Sequence, residues 1–201
     1  FITWVLTGCI VVFILLMPGF VGGVLGFSPF ETTYFQMGGL VCIVSSCWLT
    51  GRLADKHNPS TLCILFSAGF AVSSVAFFSL LYTAAPVVSE VVLAYFATCF
   101  FAGIMNFCPI FMCDVFPARI RFSGISFAYN IAYALSGAFT PQLSFALHAY
   151  AKTHPDTLGA MGLSAYIVFL ALVSIGTALA MRRVYKNGGA AVSQMEFRPA
   201  P

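Results

Sequence analysis

Long apolar runs alternate with short polar breaks along this chain. A helix that crosses a bilayer needs about 20 predominantly apolar residues. The pattern predicts six such helices, over about 3–26, 35–52, 59–83, 88–114, 122–149 and 160–182. No Asp, Glu, Lys, Arg or His lies near the middle of any of them. Barrel strands would alternate polar and apolar residues over about 10 positions, whereas these runs are continuous and roughly twice as long. The expected fold is an all-α membrane protein, a six-transmembrane-helix bundle over 1–186. The polar segment 187–201, with its Gly and Pro residues, is expected to form a disordered cytoplasmic tail.

The breakers refine this picture. Asn58 before Pro59 places a capping side chain ahead of a proline at the first helical position, so the third helix starts there. Pro117 stops the fourth. Pro18, Pro109 and Pro141 lie inside apolar runs, where each removes a backbone donor and favours a kink. Such kinks persist at membrane depth where a neighbouring helix or a cavity satisfies the freed carbonyl. They read either as packing irregularities or as the wall of a gate or cavity. Gly19 with Gly23, and Gly22 with Gly26, form two small-xxx-small pairs that allow a second backbone to approach helix one.

Composition agrees with the pattern. Hydrophobic residues make up 60% of the chain and charged residues 7%, with a mean hydropathy of +0.96. A soluble domain carries roughly 25% charge, so a soluble surface cannot be covered here. The net charge of +3 is too small, and its basic residues too scattered, for a nucleic-acid partner. Arg52, Lys56, Arg119, Arg121, Arg182, Arg183, Lys186 and Arg198 fall on one side of the expected topology and only Lys152 on the other. The excess marks the cytoplasmic side and puts both ends of this segment there. The opening Phe1-Ile2-Thr3-Trp4 lacks a basic n-region and reads as the start of a piece of a longer polypeptide. The seven cysteines lie in apolar stretches without a Cys-x-x-Cys pair and read as packing residues. His57, His148 and His154 sit at membrane edges without metal-ligand spacing. No catalytic constellation, metal site or cofactor motif is read, and no enzyme is expected.

Two motifs carry more. The break Gly51-Arg52-Leu53-Ala54-Asp55-Lys56 resembles the Gly-x-Leu-Ala/Ser-Asp-Arg/Lys loop of the major facilitator superfamily. Gly51 permits close helix approach. Asp55 suits the amide end of a neighbouring helix, where negative charge is favoured. The family's following Gly-Arg/Lys-Arg/Lys is replaced by Asn58-Pro59-Ser60. Asn is the non-glycine residue best suited to a left-handed turn. The second block is Asp114-Val115-Phe116-Pro117-Ala118-Arg119-Ile120-Arg121-Phe122-Ser123-Gly124, then Phe127-Ala128-Tyr129-Asn130 and Gly137-Ala138-Phe139-Thr140-Pro141. It is similar to the acidic-x-Phe-Pro-x-x-x-Arg-x-Ser element and the Asn- and Thr-Pro-bearing helix of the metabolite–proton symporter branch. That branch includes proline/betaine, α-ketoglutarate and shikimate transporters.

The resemblance runs from about Trp4 to Lys186 and implies one half of a twelve-helix fold, helices seven to twelve. It implies secondary active transport of a small polar metabolite, osmolyte or organic acid by alternating access, coupled to protons, in a plasma membrane of the bacterial inner-membrane kind. The partners it implies are the solute, protons, the lipid bilayer and the missing N-terminal six-helix half. Asp55 and Asp114 beside Arg52, Lys56, Arg119 and Arg121 are expected to form a charge network that holds one conformation. The alternative is a solvated basic cluster. Asn106, Asn130 and Tyr133 are candidate substrate contacts, because the first, second, fourth and fifth helices of such a half line its cavity. Interhelical hydrogen bonding is the competing role. With no titratable group at mid-span, the proton carrier is expected in the half that precedes this segment. A non-transporting membrane half that binds or regulates a partner remains the alternative function.

Overall fold

The computed structural model describes residues 2–83, 85–117, 119–154 and 157–186. Among them the chain is helical and without strands, and six helices follow one another. They are α1 (Ile2–Leu25), α2 (Pro29–Ala54), α3 (Pro59–Leu81), α4 (Val88–Val115), α5 (Arg121–Thr153) and α6 (Thr157–Lys186). All but α5 contain a stretch both long and apolar enough to cross a membrane. At 33 residues α5 is long enough, but it carries Tyr129, Asn130, Tyr133, Ser136, Thr140, Gln142, Ser144 and His148 among its apolar residues. The tail expected over 187–201 lies outside the described residues.

Local chemistry sets the ends. Asn58 accepts a hydrogen bond from the Ser60 amide at 2.9 Å and Pro59 occupies the first turn of α3. Asn58 has φ −61° in the extended region, so it acts as an N-cap and not as the left-handed turn residue expected from the motif. α2 begins at Pro29, six residues before the expected start. Ser28 and Glu31 form a reciprocal capping box there, Ser28 N–H donating to Glu31 at 2.7 Å. Gln36 lies two turns inside α2. Gly26 closes α1 in the left-handed conformation, φ 70°, which a side chain would resist.

Packing makes α1 the hub. It contacts α2, α4, α5 and α6, while α3 and α6 lie along each other and α4 fits between α2 and α3. An aromatic core joins the layers. Phe13 of α1 meets Phe70 of α3 edge-on at 5.4 Å, and Phe35 of α2 stacks on Tyr95 of α4 at 4.1 Å. These geometries add to the dispersion gained by burying large rings. Gly103 lets α4 approach α2 so closely that an added Cβ would collide with the Ser46 hydroxyl. Gly51, expected to permit such an approach, faces open space, as do Gly19 and Gly137. Cys9, Cys63, Cys99 and Cys108 are buried, and Cys113 is exposed.

Two surfaces stay open. Phe30, Tyr34, Val41, Val44 and Trp48 project from α2, and Phe122, Phe127, Leu135, Phe139 and Phe145 from α5. Polar contacts show that the helices alternate in direction. Asp114 at the end of α4 meets Tyr185 at the end of α6, and Tyr82 after α3 meets His148 near the end of α5. The first contact lies at the basic end of the bundle, the second at the opposite end.

Candidate functional site

The middle of the bundle is built from interrupted helices. Pro18 lacks the N–H that would reach the carbonyl of Ile14, and the chain ahead of it opens into a π-helical stretch, Ile10–Leu16. Two side chains from other helices meet the disturbed backbone. Gln36 of α2 donates to the Ile14 carbonyl at 2.9 Å, and Tyr95 of α4 donates to the Phe13 carbonyl at 2.8 Å. This is the compensation that a proline at membrane depth requires. Gln36 and Tyr95 are bridging positions that the apolar pattern alone does not single out. Gln36 was readable as a polar side chain in the next helix, but its pairing depends on how α1 and α2 cross.

α4 is interrupted too. A 3₁₀ segment, Ala102–Asn106, ends three residues before Pro109 and includes Met105, whose carbonyl Pro109 cannot reach with an N–H. Asn106 donates to the Cys47 carbonyl at 2.5 Å and to Thr50 Oγ1 at 3.0 Å. Thr50 in turn donates to the Ser46 carbonyl at 2.9 Å. The candidate substrate residue Asn106 thus spends both amide hydrogens on α2. Pro141, by contrast, sits in α5 without interrupting it.

Asn130 and Tyr133 occupy the open face of α5. Asn130 is exposed and donates to the Ser126 carbonyl of its own helix at 2.7 Å, while Tyr133 stacks on Tyr129 at 5.7 Å. The three candidates therefore divide. Asn106 is tied into the α2–α4 seam, and Asn130 with Tyr133 faces outward.

The six residues of the expected charge network lie near the basic end. The Arg52 guanidinium sits 4.0 Å above the Trp48 ring. Asp55 caps the end of α2 with its side chain exposed, and Lys56 and Arg119 are exposed. Arg121 donates through Nε to the Phe116 carbonyl at 3.0 Å. Asp114 accepts the phenol of Tyr185. None of these contacts joins a carboxylate to a cation. Tyr185 is a partner that the charge pattern could not reveal, because tyrosine carries no charge to count.

A polar stripe runs along the buried side of α5 through Ser136, Thr140, Ser144 and His148. Thr140 shares a hydrogen bond with the Tyr166 hydroxyl at 2.8 Å, and Trp4 donates to the same hydroxyl at 3.2 Å. The Ser144 hydroxyl is buried without a partner. His148, expected at a membrane edge, is only 8% exposed. α5 continues to Thr153, beyond its expected end near 149, and the imidazole is held between the Tyr82 hydroxyl and the Phe20 ring. Nearby, a cavity of about 290 Å³ opens between Val24, Leu81, Tyr82, Thr83, Ala151 and Lys152.

The fold defines a multi-pass, all-helical membrane bundle. No known protein family, curated protein or solved structure matches the chain. Its function is therefore argued from sequence and geometry.

Proposed function

We propose that the chain is one six-helix half of a secondary transporter that moves a small polar metabolite, osmolyte or organic acid by alternating access, coupled to protons. The observation that carries this reading is the pair of interrupted helices, α1 at Pro18 and α4 at Pro109. Irregular backbone at membrane depth is tolerated where protein or a water-filled cavity surrounds it. Transporters build their midplane sites from such discontinuous helices. The open faces of α2 and α5 flank α1, and Gly19, Gly51 and Gly137 on these three helices have nothing against them. A second six-helix half is the partner that suits those faces, and Asn130 and Tyr133 would then line the space between. The excess of Arg and Lys at the ends of α2, α4 and α6 supports a cytoplasmic placement of that side, in a membrane of the bacterial inner-membrane kind.

The face of α5 offers the test. In this reading Asn130→Cys, in the full-length protein, is modified by a membrane-impermeant thiol reagent and is protected by the transported solute. A lipid-facing α5 predicts no modification at that site, and that result would contradict the proposal. The alternative of a non-transporting half that binds a partner has no separate observation in its favour.

A further inference from the structure

The one imidazole inside the bundle has surroundings that the transport reading does not use. His148 Nδ1 lies 2.5 Å from the Tyr82 hydroxyl. Its ring stacks on Phe20 of α1 at 3.9 Å and 8°. Tyr82 and Lys152 both line the cavity at this end, so His148 is one hydrogen bond away from a space open to water. Inward, one helical turn along α5, lies the unpartnered hydroxyl of Ser144. Three helices, α1, α3 and α5, end around this point.

We propose that His148, held between Tyr82 and Phe20 at the mouth of this cavity, is a proton-binding site, and that protonation loosens the junction where α1, α3 and α5 end. The proton site stands on geometry; its part in coupling rests on the transport reading above.

The step balances simply. In the neutral pair the phenol donates to Nδ1, and Nε2 carries the ring hydrogen. A proton entering from cavity water ends on Nδ1, which then donates to Tyr82 Oη. The phenol hydrogen turns to the cavity. The pair gains one positive charge, and no covalent bond other than the new N–H forms.

The new charge is placed to act. Lys152 follows His148 by four residues on the same helix, and like charges at that spacing repel. The Lys152 ammonium leans over α1, 3.5 Å from the point a Cβ on Gly23 would occupy. Repulsion from imidazolium therefore displaces the side chain that bridges α5 to α1. Among the described residues, α1 brings the Phe20 ring to His148, the end of α3 brings the Tyr82 hydroxyl, and α5 adds Lys152 one turn on. The stretch of α6 from Met161 to Ser164 carries no ionisable side chain. The Phe20 ring face can receive the cation.

The test uses the full-length protein in lipid nanodiscs with ring-¹⁵N histidine. NMR spectra are taken from about pH 8.5 down to about pH 4, a range that brackets the ordinary imidazole midpoint. His148→Asn identifies the resonance against those of His57 and His154. The expected result is that His148 takes up one proton in this range. Tyr82→Phe should lower its midpoint, by about one pH unit, because the charge-assisted bond from imidazolium is the stronger of the two that are lost. The opening step is read at Val24→Cys by mass spectrometry after thiol modification at pH 5. Modification should be about fivefold faster with His148 than with His148→Asn, since displacing Lys152 is a modest population shift. A His148 neutral throughout overturns the proton site and leaves the transport reading standing. Equal modification rates overturn the loosening. A titrating His148 in a full-length protein that moves no solute supports the proton site and overturns the transport reading.

Discussion

Two backbone carbonyls, those of Phe13 and Ile14, lie at membrane depth ahead of a proline, and two side chains from other helices are committed to them. In lipid there is no water to replace either partner. Gln36→Leu and Tyr95→Phe should each destabilise the folded bundle by about 1 kcal/mol, within the range measured for interhelical hydrogen bonds in membranes. Denaturation in mixed detergent micelles checks this, and an unchanged midpoint for both variants would show that the carbonyls find other donors. At this scale the sequence was a partial guide. It identified Pro18 and the need for a compensating donor, but the donor is chosen by how the helices cross. Asn106 and Asn130 show the same limit. Both are single polar residues in apolar runs, yet one is bonded across to α2 and the other is exposed.

Among the elements, α1 departs furthest from regular geometry. Its π-helical stretch over Ile10–Leu16 is followed by α-helix at Met17. Pro18→Ala would return a donor to Ile14 and let the stretch relax to an α-helix, releasing Gln36. Removing an interior proline relieves a cost of about 3 kcal/mol, so the variant should fold at least as stably. Uptake by the full-length protein should nonetheless fall by roughly tenfold if the interruption is part of the moving machinery. A more stable variant with undiminished uptake would make the interruption a packing detail. Element existence was legible because every helix but α5 carries a run long and apolar enough to span a membrane, and α5 is long enough by length alone. The ends were less so. Glu31, Thr32 and Thr33 lower the hydropathy of the first turn of α2 and hid its start, although Ser28 and Glu31 are the two residues of the capping box. On α5, polar residues along the buried side lower the apolar signal, and the helix outruns its expected end by about one turn.

For the whole molecule, the contact pattern puts α1 at the hub and leaves the long faces of α2 and α5 uncovered. Composition made the membrane class legible, since a chain with 7% charge has no soluble surface to offer. The polar chemistry of the ends was harder to read. Charge counting finds Asp114 and the arginines but not Tyr185, and it leaves His148 at an edge when the bundle closes over it. The account's central claim is transport by this bundle together with a second half. Uptake of radiolabelled osmolytes and organic acids by cells expressing the complete gene tests it most directly, with and without a protonophore. The account predicts accumulation of at least one such solute above control cells, abolished by the protonophore. No accumulation of any of them, in cells shown to hold the folded protein in their membrane, would contradict it.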